Sequence, residues 1–181
     1  MMAASVMAVM TFAAASSMAR AARIDDREAL RCARPVERIV DHSLSADRIR
    51  ALLAPVDAFY GFWCNGSEVL LHQAVDARFT DHTLPPGRPQ GPEGPAAASR
   101  QFLAAVPDLR LTVRQQLVVG DRVASHLRFT GHFTGTLGSR HGRGQVVDFV
   151  ATDIVRVRDG RITDNWHIED MAAFMRELGD E

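Results

Sequence analysis

Hydrophobic and polar residues alternate most regularly near the C-terminus, over residues 146–170. This alternation predicts two β-strands joined by a tight turn, because side chains of a strand point to opposite faces in turn. The residues that share one face of the first strand are Phe149, Ala151, Asp153, Val155 and Val157. A lone carboxylate on an apolar face is costly to bury without a partner. We therefore expect Asp153 to have one, and the second strand offers His167.

The length of the turn decides whether Asp153 and His167 meet. A two-residue loop at 159–160, an Asp-Gly pair, is a strong hairpin signal and places Asp153 on the face of Trp166. A three-residue loop at 158–160 places Asp153 and His167 diagonally on one face, within side-chain reach. Both loops are compatible with the sequence. We predict the three-residue loop, because it gives the carboxylate a partner.

The chain before this hairpin has a helical period first and a strand period later. Ser45 is a plausible N-cap for a helix that ends at Asn65-Gly66, and Pro55 allows a break within it. Further helices are predicted at 68–73, 96–106 and 171–178, and the loop 83–95 is too rich in Pro and Gly for regular structure. Alternating runs start at Leu109, around 118–123 and at 125–130, and a long connection follows at 131–144. Helices followed by a meander of strands predict an α+β fold.

The N-terminal part has a different composition. Residues 1–19 carry no charge and end in small residues, but no basic region precedes them. We predict a disordered or wrongly assigned start, with a secretion signal or an anchor as alternatives. Residues 20–42 are dense in charge and indicate a solvated, partly helical lead-in. The predicted organisation is an extension at 1–44 and one domain at 45–179.

Charge and cysteine content exclude several classes of protein. The net charge is −1 with no long run of one sign, which indicates neither a nucleic-acid partner nor a membrane surface. Cys32 and Cys64 are the only cysteines and form no metal-binding spacing, so we predict two reduced thiols. The predicted location is cytoplasmic, with secretion as the alternative.

The candidate chemistry centres on proton transfer. A carboxylate beside an imidazole fixes its tautomer and raises its basicity, so Asp153 and His167 could act as a pair; the alternative is a structural pair without substrate. Asp81 and His82 stand before the Pro/Gly loop, where they could cap a pocket or form an Asx turn.

Two further polar residues lie on predicted strands. His126 could reach a substrate carbonyl or lie on a solvated face, and Glu169 could be a second acid or an exposed strand-end residue. The seven histidines show no H-x-H, H-x-x-x-H or H-E-x-x-H spacing, and no phosphate loop, nucleophile elbow or dinucleotide fingerprint occurs. We therefore predict neither a metal nor a cofactor.

Several segments together resemble a known family. DIVRVRDGRITDNW, the preceding G-H-F-T-G, the ending H-I-E-D with a short helix, FTDHTLPPG and AVPDL are similar to SnoaL-like polyketide cyclases. The resemblance spans roughly residues 45–179. It implies the cone-shaped fold shared with nuclear transport factor 2 and ketosteroid isomerase, a curved antiparallel sheet with N-terminal helices packed over it. It also favours the three-residue turn, since both acid/base positions must face one cavity.

The resemblance implies cofactor-free ring closure of a polyketide ester by intramolecular aldol condensation. The family's acid/base aspartate falls on His167, its histidine helper falls on Asp153, and a polar residue at the pocket mouth falls on Asp81. The two residue types of the pair are thus exchanged, and Phe133 stands where a family histidine is often found.

From these observations we predict a small acid/base enzyme on a carbonyl compound, with His167 as base and Asp153 as its orienter. The residues expected to bind substrate are Asp81, His82, His126, Trp63, Phe149 and Glu169. An isomerase, dehydratase or epoxide hydrolase on the same pocket is the alternative, and a non-catalytic binding module is another. The expected partners are a small hydrophobic carbonyl ligand and a second copy of the chain.

Overall fold

The computed structural model describes residues 23–179, which form five helices and eight strands. The helices are α1 (Asp26–Cys32), α2 (Ala46–Asn65), α3 (Glu68–Ala74), α4 (Glu93–Ala105) and α5 (Met171–Leu178). The strands are β1 (Glu37–Val40), β2 (Val75–Asp81), β3 (Arg110–Val119), β4 (Arg122–Phe133), β5 (Thr136–Leu137), β6 (Arg140–His141), β7 (Gln145–Arg158) and β8 (Arg161–Glu169). The segment 1–19, predicted to be a disordered or wrongly assigned start, lies outside the described residues.

Six strands form one curved, open sheet in the order β1-β3-β4-β7-β8-β2. The pairs β3–β4, β4–β7 and β7–β8 are antiparallel, whereas the two edge strands β1 and β2 pair in parallel with β3 and β8. β5 and β6 form a separate small hairpin. The predicted α+β class is therefore confirmed, and the sheet is antiparallel except at its two edges.

The long helix α2 follows its sequence signals. The Ser45 side chain accepts a hydrogen bond from the Arg48 backbone N–H, and Gly66 ends the helix in the left-handed conformation at φ 73°. The helix continues through Pro55, so the break allowed by the sequence does not occur. α2 lies over the sheet and buries an aromatic stripe that includes Phe59 and Phe62.

Two boundaries differ from the sequence predictions. α4 begins at Glu93 rather than at residue 96, because proline is tolerated in the first turn of a helix, where Pro95 lies. The connection predicted at 131–144 is shorter, since β4 extends to Phe133 and the β5–β6 hairpin occupies much of the remainder.

The charged lead-in contains two elements that pack on the rest of the fold. Ala29 of α1 is fully buried in the core, as is Ala33 directly after it. β1 pairs with β3 over Glu37–Val40 and so extends the main sheet. α1 lies in the segment that was expected to be a solvated, partly helical lead-in, and the domain boundary after residue 44 remains a prediction.

The turn between β7 and β8 is the two-residue loop, so the prediction of a three-residue loop was wrong. Arg158 pairs with Arg161, and the two loop residues have positive φ angles, 48° at Asp159 and 72° at Gly160. Two consecutive residues with positive φ are typical of a type I′ turn, whose twist matches that of the flanking strands. Asp-Gly supplies these conformations at little cost.

A β-bulge nevertheless brings Asp153 and His167 onto one face. Val157 pairs with Ile162, but the next pair is Arg156 with Asp164, so β8 carries one extra residue at Thr163. The extra residue shifts the register by one from that point on, and His167 then lies directly opposite Asp153. The shared face was predicted correctly, but for the wrong reason.

The core lies between the helices and the inner face of the sheet. Phe129 and Phe149 stack with ring centroids 5.0 Å apart, and Phe174 of α5 packs on Phe149 at 5.1 Å. Cys32 and Cys64 are free thiols, as predicted. Within residues 23–179 no helix has the length and hydrophobicity required to span a membrane.

Candidate active site

A cavity opens between α2, α4 and the inner face of the sheet. Six aromatic side chains line it, namely Phe59, Trp63, Phe79, Phe102, Phe129 and Phe149. Its polar side chains are Asp81, Arg88, Asp153, Asn165, His167 and Glu169. A mostly apolar cavity with a few convergent polar groups is typical of a small-molecule site.

The sheet register gathers the polar groups from three strands. His167 of β8 is opposite Asp153 of β7, and Glu169 is opposite Ala151. On its other side β8 pairs in parallel with β2, which places Asp81 beside Asn165. Side chains directly opposite each other on one face lie close enough to interact. The site is therefore a consequence of the β2–β8–β7 pairing.

His167 is held between two carboxylates. Its Nε2 lies 2.9 Å from Asp81 Oδ2 and its Nδ1 lies 2.7 Å from Glu169 Oε1. Burial lowers the pKa of His167, but the hydrogen bonds and negative charges of Asp81 and Glu169 outweigh burial and raise this pKa to about 10. His167 is consequently an imidazolium at neutral pH that donates both of its ring N–H groups.

Asp81 both caps the turn after β2 and lines the cavity. Its Oδ1 accepts the backbone N–H of Thr83 at 2.9 Å, the geometry of an Asx turn, while Oδ2 faces His167. Burial raises the pKa of Asp81, but the hydrogen bonds from His167 and Thr83 prevail and lower it. Gln90 bonds both the N–H and the C=O of Asp81, which holds the Pro/Gly loop against β2. The Asx turn that the sequence analysis gave as one alternative is therefore present, and Asp81 also lines the cavity.

Asp153 lies in a different environment. It is only 5 % exposed, and burial raises its pKa to about 7, against the opposing charge of His167. Negative charges on Glu169 and Asp81 raise the pKa further. Asp153 stands opposite His167, but the hydrogen bonds of the imidazole go to the other two carboxylates. The prediction that Asp153 orients His167 was therefore wrong. The residues that orient His167 are Asp81 and Glu169.

Two of the predicted substrate-binding residues lie outside the cavity, so these predictions were wrong. His82 stacks on Trp166 at a centroid distance of 4.4 Å and approaches Asp164 at 2.8 Å, on the outer face of the sheet. His126 is exposed on the same face, with Nδ1 3.4 Å from Thr152 Oγ1. Both follow from strand parity, since Asp81 and Ser125 point inward and their chain neighbours His82 and His126 point outward.

The other predicted residues, Asp81, Trp63, Phe149, Asp153, His167 and Glu169, all line the cavity. Their roles in binding or catalysis remain predictions. Within residues 23–179 no group of three or more His, Cys, Asp and Glu side chains has the arrangement of a metal site.

Sequence reasoning missed two of the polar residues of the cavity. Asn165 is 5 % exposed, and its buried Oδ1 has no hydrogen-bond partner within residues 23–179. Its parity with His167 could have identified it. Arg88, in the loop after β2, is half-buried at the cavity and makes no ion pair in the described part of the chain. No local sequence signal could have identified Arg88 as a cavity residue, because the sequence of a loop does not show against which part of the fold the loop packs.

A curved sheet covered by helices, with a polar-ended apolar cavity inside, defines the ketosteroid-isomerase-like class of fold. A protein of that fold from Catenulispora acidiphila DSM 44928 aligns with a TM-score of 0.55 at 17 % identity, covering 70 % of this chain and 93 % of its own. The sequence profile of SnoaL-like polyketide cyclases matches residues 55–178. The chain belongs to the SnoaL-like polyketide cyclase family, as the sequence predicted.

Other solved structures agree with this membership. A proposed polyketide cyclase from Bacillus cereus ATCC 10987 is 39 % identical, with a TM-score of 0.74, and the match covers 81 % of this chain and 92 % of that one. AclR, a proposed hydroxylase from Streptomyces galilaeus, is 21 % identical with a TM-score of 0.61, over 74 % of this chain and 85 % of that one. No curated protein sequence matches the chain significantly. The family and these neighbours support a general cyclase- or isomerase-type function.

Proposed function

We propose that the protein is a cofactor-independent acid/base enzyme that acts on a small, largely apolar carbonyl compound, with Asp153 as its base. The observation that carries this proposal is a buried carboxyl at an apolar cavity with its pKa raised to about 7. A general base works best when its pKa is near the working pH, because it is then both ionised and basic. Asp153 meets this condition.

This assignment exchanges the roles suggested by the sequence. His167, with a pKa of about 10 and both ring nitrogens in hydrogen bonds to carboxylates, is already protonated at neutral pH and cannot accept a proton. Its contribution is a fixed positive charge opposite Asp153, which favours the ionised form of that carboxyl. Asp81 and Glu169 hold this charge in place.

The proposed reaction is an intramolecular aldol condensation of the SnoaL type. The Asp153 carboxylate removes a proton from the carbon between two carbonyl groups and leaves an enolate. The Nδ2–H group of Asn165, which lines the cavity, can donate a hydrogen bond to the enolate oxygen, whereas its unpartnered Oδ1 can only accept. The enolate carbon then bonds to a second carbonyl carbon of the same molecule. Protonated Asp153 returns the proton to the alkoxide.

Proton removal can be tested without knowing the natural substrate. Ethyl benzoylacetate, an aromatic β-keto ester, exchanges the proton between its carbonyls for deuterium, which NMR measures directly. We expect the protein to accelerate this exchange and Asp153→Asn to lose at least about 100-fold, the usual contribution of a general base. Asp164→Asn is the matched control, because Asp164 bonds His82 on the outer face. Unchanged exchange in Asp153→Asn would exclude Asp153 as the base.

The same cavity could serve an isomerase, a dehydratase or an epoxide hydrolase, which use the same acid/base groups on other substrates. A non-catalytic binding module makes a different prediction. It would bind the keto ester without accelerating exchange, and Asp153→Asn would leave the affinity unchanged. The exchange assay thus separates a catalyst from a binder before the substrate is known.

We also propose that the protein forms a homodimer through the outer face of the sheet. Four apolar residues stand directly opposite one another there across β1, β3, β4 and β7, namely Ile39, Leu117, Ala124 and Ile154. The row ends at Trp166, whose ring stacks on His82 and lies under the guanidinium groups of Arg122 and Arg156. Ile39 is 51 % exposed and Ile154 is 42 % exposed. A continuous apolar row on a sheet face favours a second copy as its partner, because one patch can meet itself across a two-fold axis.

A further inference from the structure

A row of polar side chains crosses the inner face of the sheet and ends at the candidate site. Its members stand directly opposite one another on β1, β3, β4, β7 and β8, namely Arg38, Gln116, Ser125, Asp153 and His167. Gln116 and Ser125 are buried, at 0 % and 1 % exposure. On β3, β4 and β7 the neighbouring buried positions are apolar, namely Val113, Val118, Val123, Leu127, Ala151 and Val155. On these three strands the polar row therefore runs between apolar rows.

The fold does not require polar side chains at these positions. Valine, leucine or alanine fills the adjacent inner positions of β3, β4 and β7. Burying an amide and a hydroxyl is unfavourable unless their hydrogen bonds are satisfied. Gln116 and Ser125 bond each other, and the row leads towards the carboxyl assigned above as the base. This arrangement indicates a role at Asp153 rather than in packing.

Two consecutive hydrogen bonds run along the row in the direction of Asp153. Arg38 can only donate, and its Nε lies 2.7 Å from Gln116 Oε1, which fixes the orientation of that amide. Gln116 Nε2 therefore donates to Ser125 Oγ at 3.3 Å. Because Ser125 accepts this bond, its own proton is free for the groups on its other side, where Asp153 and Tyr60 lie.

Helix α2 covers the row with two polar side chains one turn apart. Asp57 lies 3.7 Å from the Arg38 guanidinium and anchors the exposed end of the row. Tyr60 is fully buried within reach of Ser125 and Asp153, although its hydroxyl meets the geometry of a hydrogen bond with neither of them. A buried hydroxyl beside a carboxyl is a donor available to the anionic form of that carboxyl.

We propose that this row, together with Tyr60 above it, orients the Asp153 carboxyl and supplies hydrogen-bond donors to its ionised form. Gln116, Ser125 and Tyr60 are then positioning residues, and Arg38 fixes the direction of the row. Arg38 lies on β1, before the residues 55–178 that match the family profile. The proposal rests on Asp153 as the base, but its effect on the carboxyl can be measured without any turnover.

The charged and titratable groups around Asp153 determine which variants are informative. They are Asp57 and Tyr60 of α2, Arg38 of β1, Asp81 of β2, and His167 and Glu169 of β8. Changing any of these alters a charge or an acid directly. Ser125→Ala and Gln116→Met change neither, so an effect on Asp153 must pass through the hydrogen bonds.

The test is a carbon-13 NMR titration of the Asp153 carboxyl. In Ser125→Ala we expect the pKa of Asp153 to rise by about 1, the effect of losing one hydrogen bond to a charged group. Gln116→Met should raise this pKa by less, because Ser125 remains but is no longer oriented. Ser125→Thr keeps the hydroxyl and should keep the wild-type value. The matched control is Gln115→Met, since Gln115 is the adjacent residue on the outer face and bonds Glu37.

An unchanged Asp153 pKa in both Ser125→Ala and Gln116→Met would overturn the proposal. Should a buried variant fail to fold, Arg38→Lys at the sheet edge keeps the positive charge and removes the Nε–H donor to Gln116, with a smaller rise expected and no rise contradicting the row. The pH profile of keto-ester exchange separates the two proposals. Substitutions in the row should shift the pH at which the exchange rate is half-maximal and leave the maximal exchange rate unchanged. If Asp153 titrates as expected but the wild type exchanges no proton, the proposed function fails and the row stands.

Discussion

Because two carboxylates stabilise the protonated form of His167, we predict that the protein loses stability as the pH rises above neutral. An unfolded histidine has a pKa of 6.5, whereas Asp81 and Glu169 raise the pKa of folded His167 to about 10. Between these values the folded chain retains a proton that the unfolded chain has released. The stabilisation is therefore complete below about pH 6.5 and is lost as the pH rises towards about 10.

The expected slope follows from this difference in bound protons. One proton corresponds to a loss of about 1.4 kcal/mol in the free energy of unfolding per pH unit. The His167 side chain is only 7 % exposed, so solvent reduces the effect little. Asp153, with its pKa raised to about 7, acts in the same direction but below neutral pH. Cys64, whose pKa burial raises to about 12, contributes only above about pH 9.

The assay is urea unfolding followed by tryptophan fluorescence between about pH 7 and pH 9. We expect wild type to lose about 2–3 kcal/mol over this range and His167→Gln to lose much less. At pH 7 His167→Gln should be less stable by about 3–5 kcal/mol, because two carboxylates remain without their cation. His126→Gln, an exposed histidine on the outer face, should behave like wild type. Equal slopes for wild type and His167→Gln would refute the reasoning.

Two further predictions concern the bulge and the outer face of the sheet. Deleting Thr163 removes the extra residue of β8 and should keep His167 opposite Asp153, with the pKa of His167 still near 10. Deleting Trp166 instead should move His167 to the outer face and return the pKa of His167 towards 6.5. NMR titration of the imidazole measures both pKa values, and the same result for both deletions would contradict the register argument. Ile154→Glu should convert a dimer into a monomer in light scattering, because it places a charge in the apolar row, and a wild type that is monomeric at all concentrations would exclude this interface.

Local signals in the sequence predicted much of the fold. The cap at Ser45, the stop at Gly66 and the alternation in β7 are properties of short segments, and each appears in the structure as expected. The presence of a hairpin at Asp159-Gly160 was equally local. Its register was not, because a bulge at Thr163 depends on the strands that β8 joins on both sides, and β2 is far away in the chain.

The same limit applies to the candidate site. Parity along the strands was enough to predict that Asp153 and His167 share a face, and to associate Asp81 with the pocket. The contact between His167 and Asp81 could not be predicted, since Asp81 is 86 residues away and reaches His167 only through the parallel β2–β8 pair. Alternation along a strand shows which residues point inward only when the end of the strand is known. The sequence did not show where β2 ends, so the inward orientation of Asp81 and the outward orientation of His82 were not distinguished.

The sequence by itself determined the fold class, the family and the residue types available for acid/base chemistry, because periodicity, caps and motifs act over a few residues. Tertiary structure alone decided which of these residues holds a proton at neutral pH. Burial raises the pKa of Asp153 to about 7, while two carboxylates from different strands raise that of His167 to about 10. A pKa depends on solvent exclusion and on charges within a few ångströms. Those neighbours exist only after the sheet has brought distant strands together.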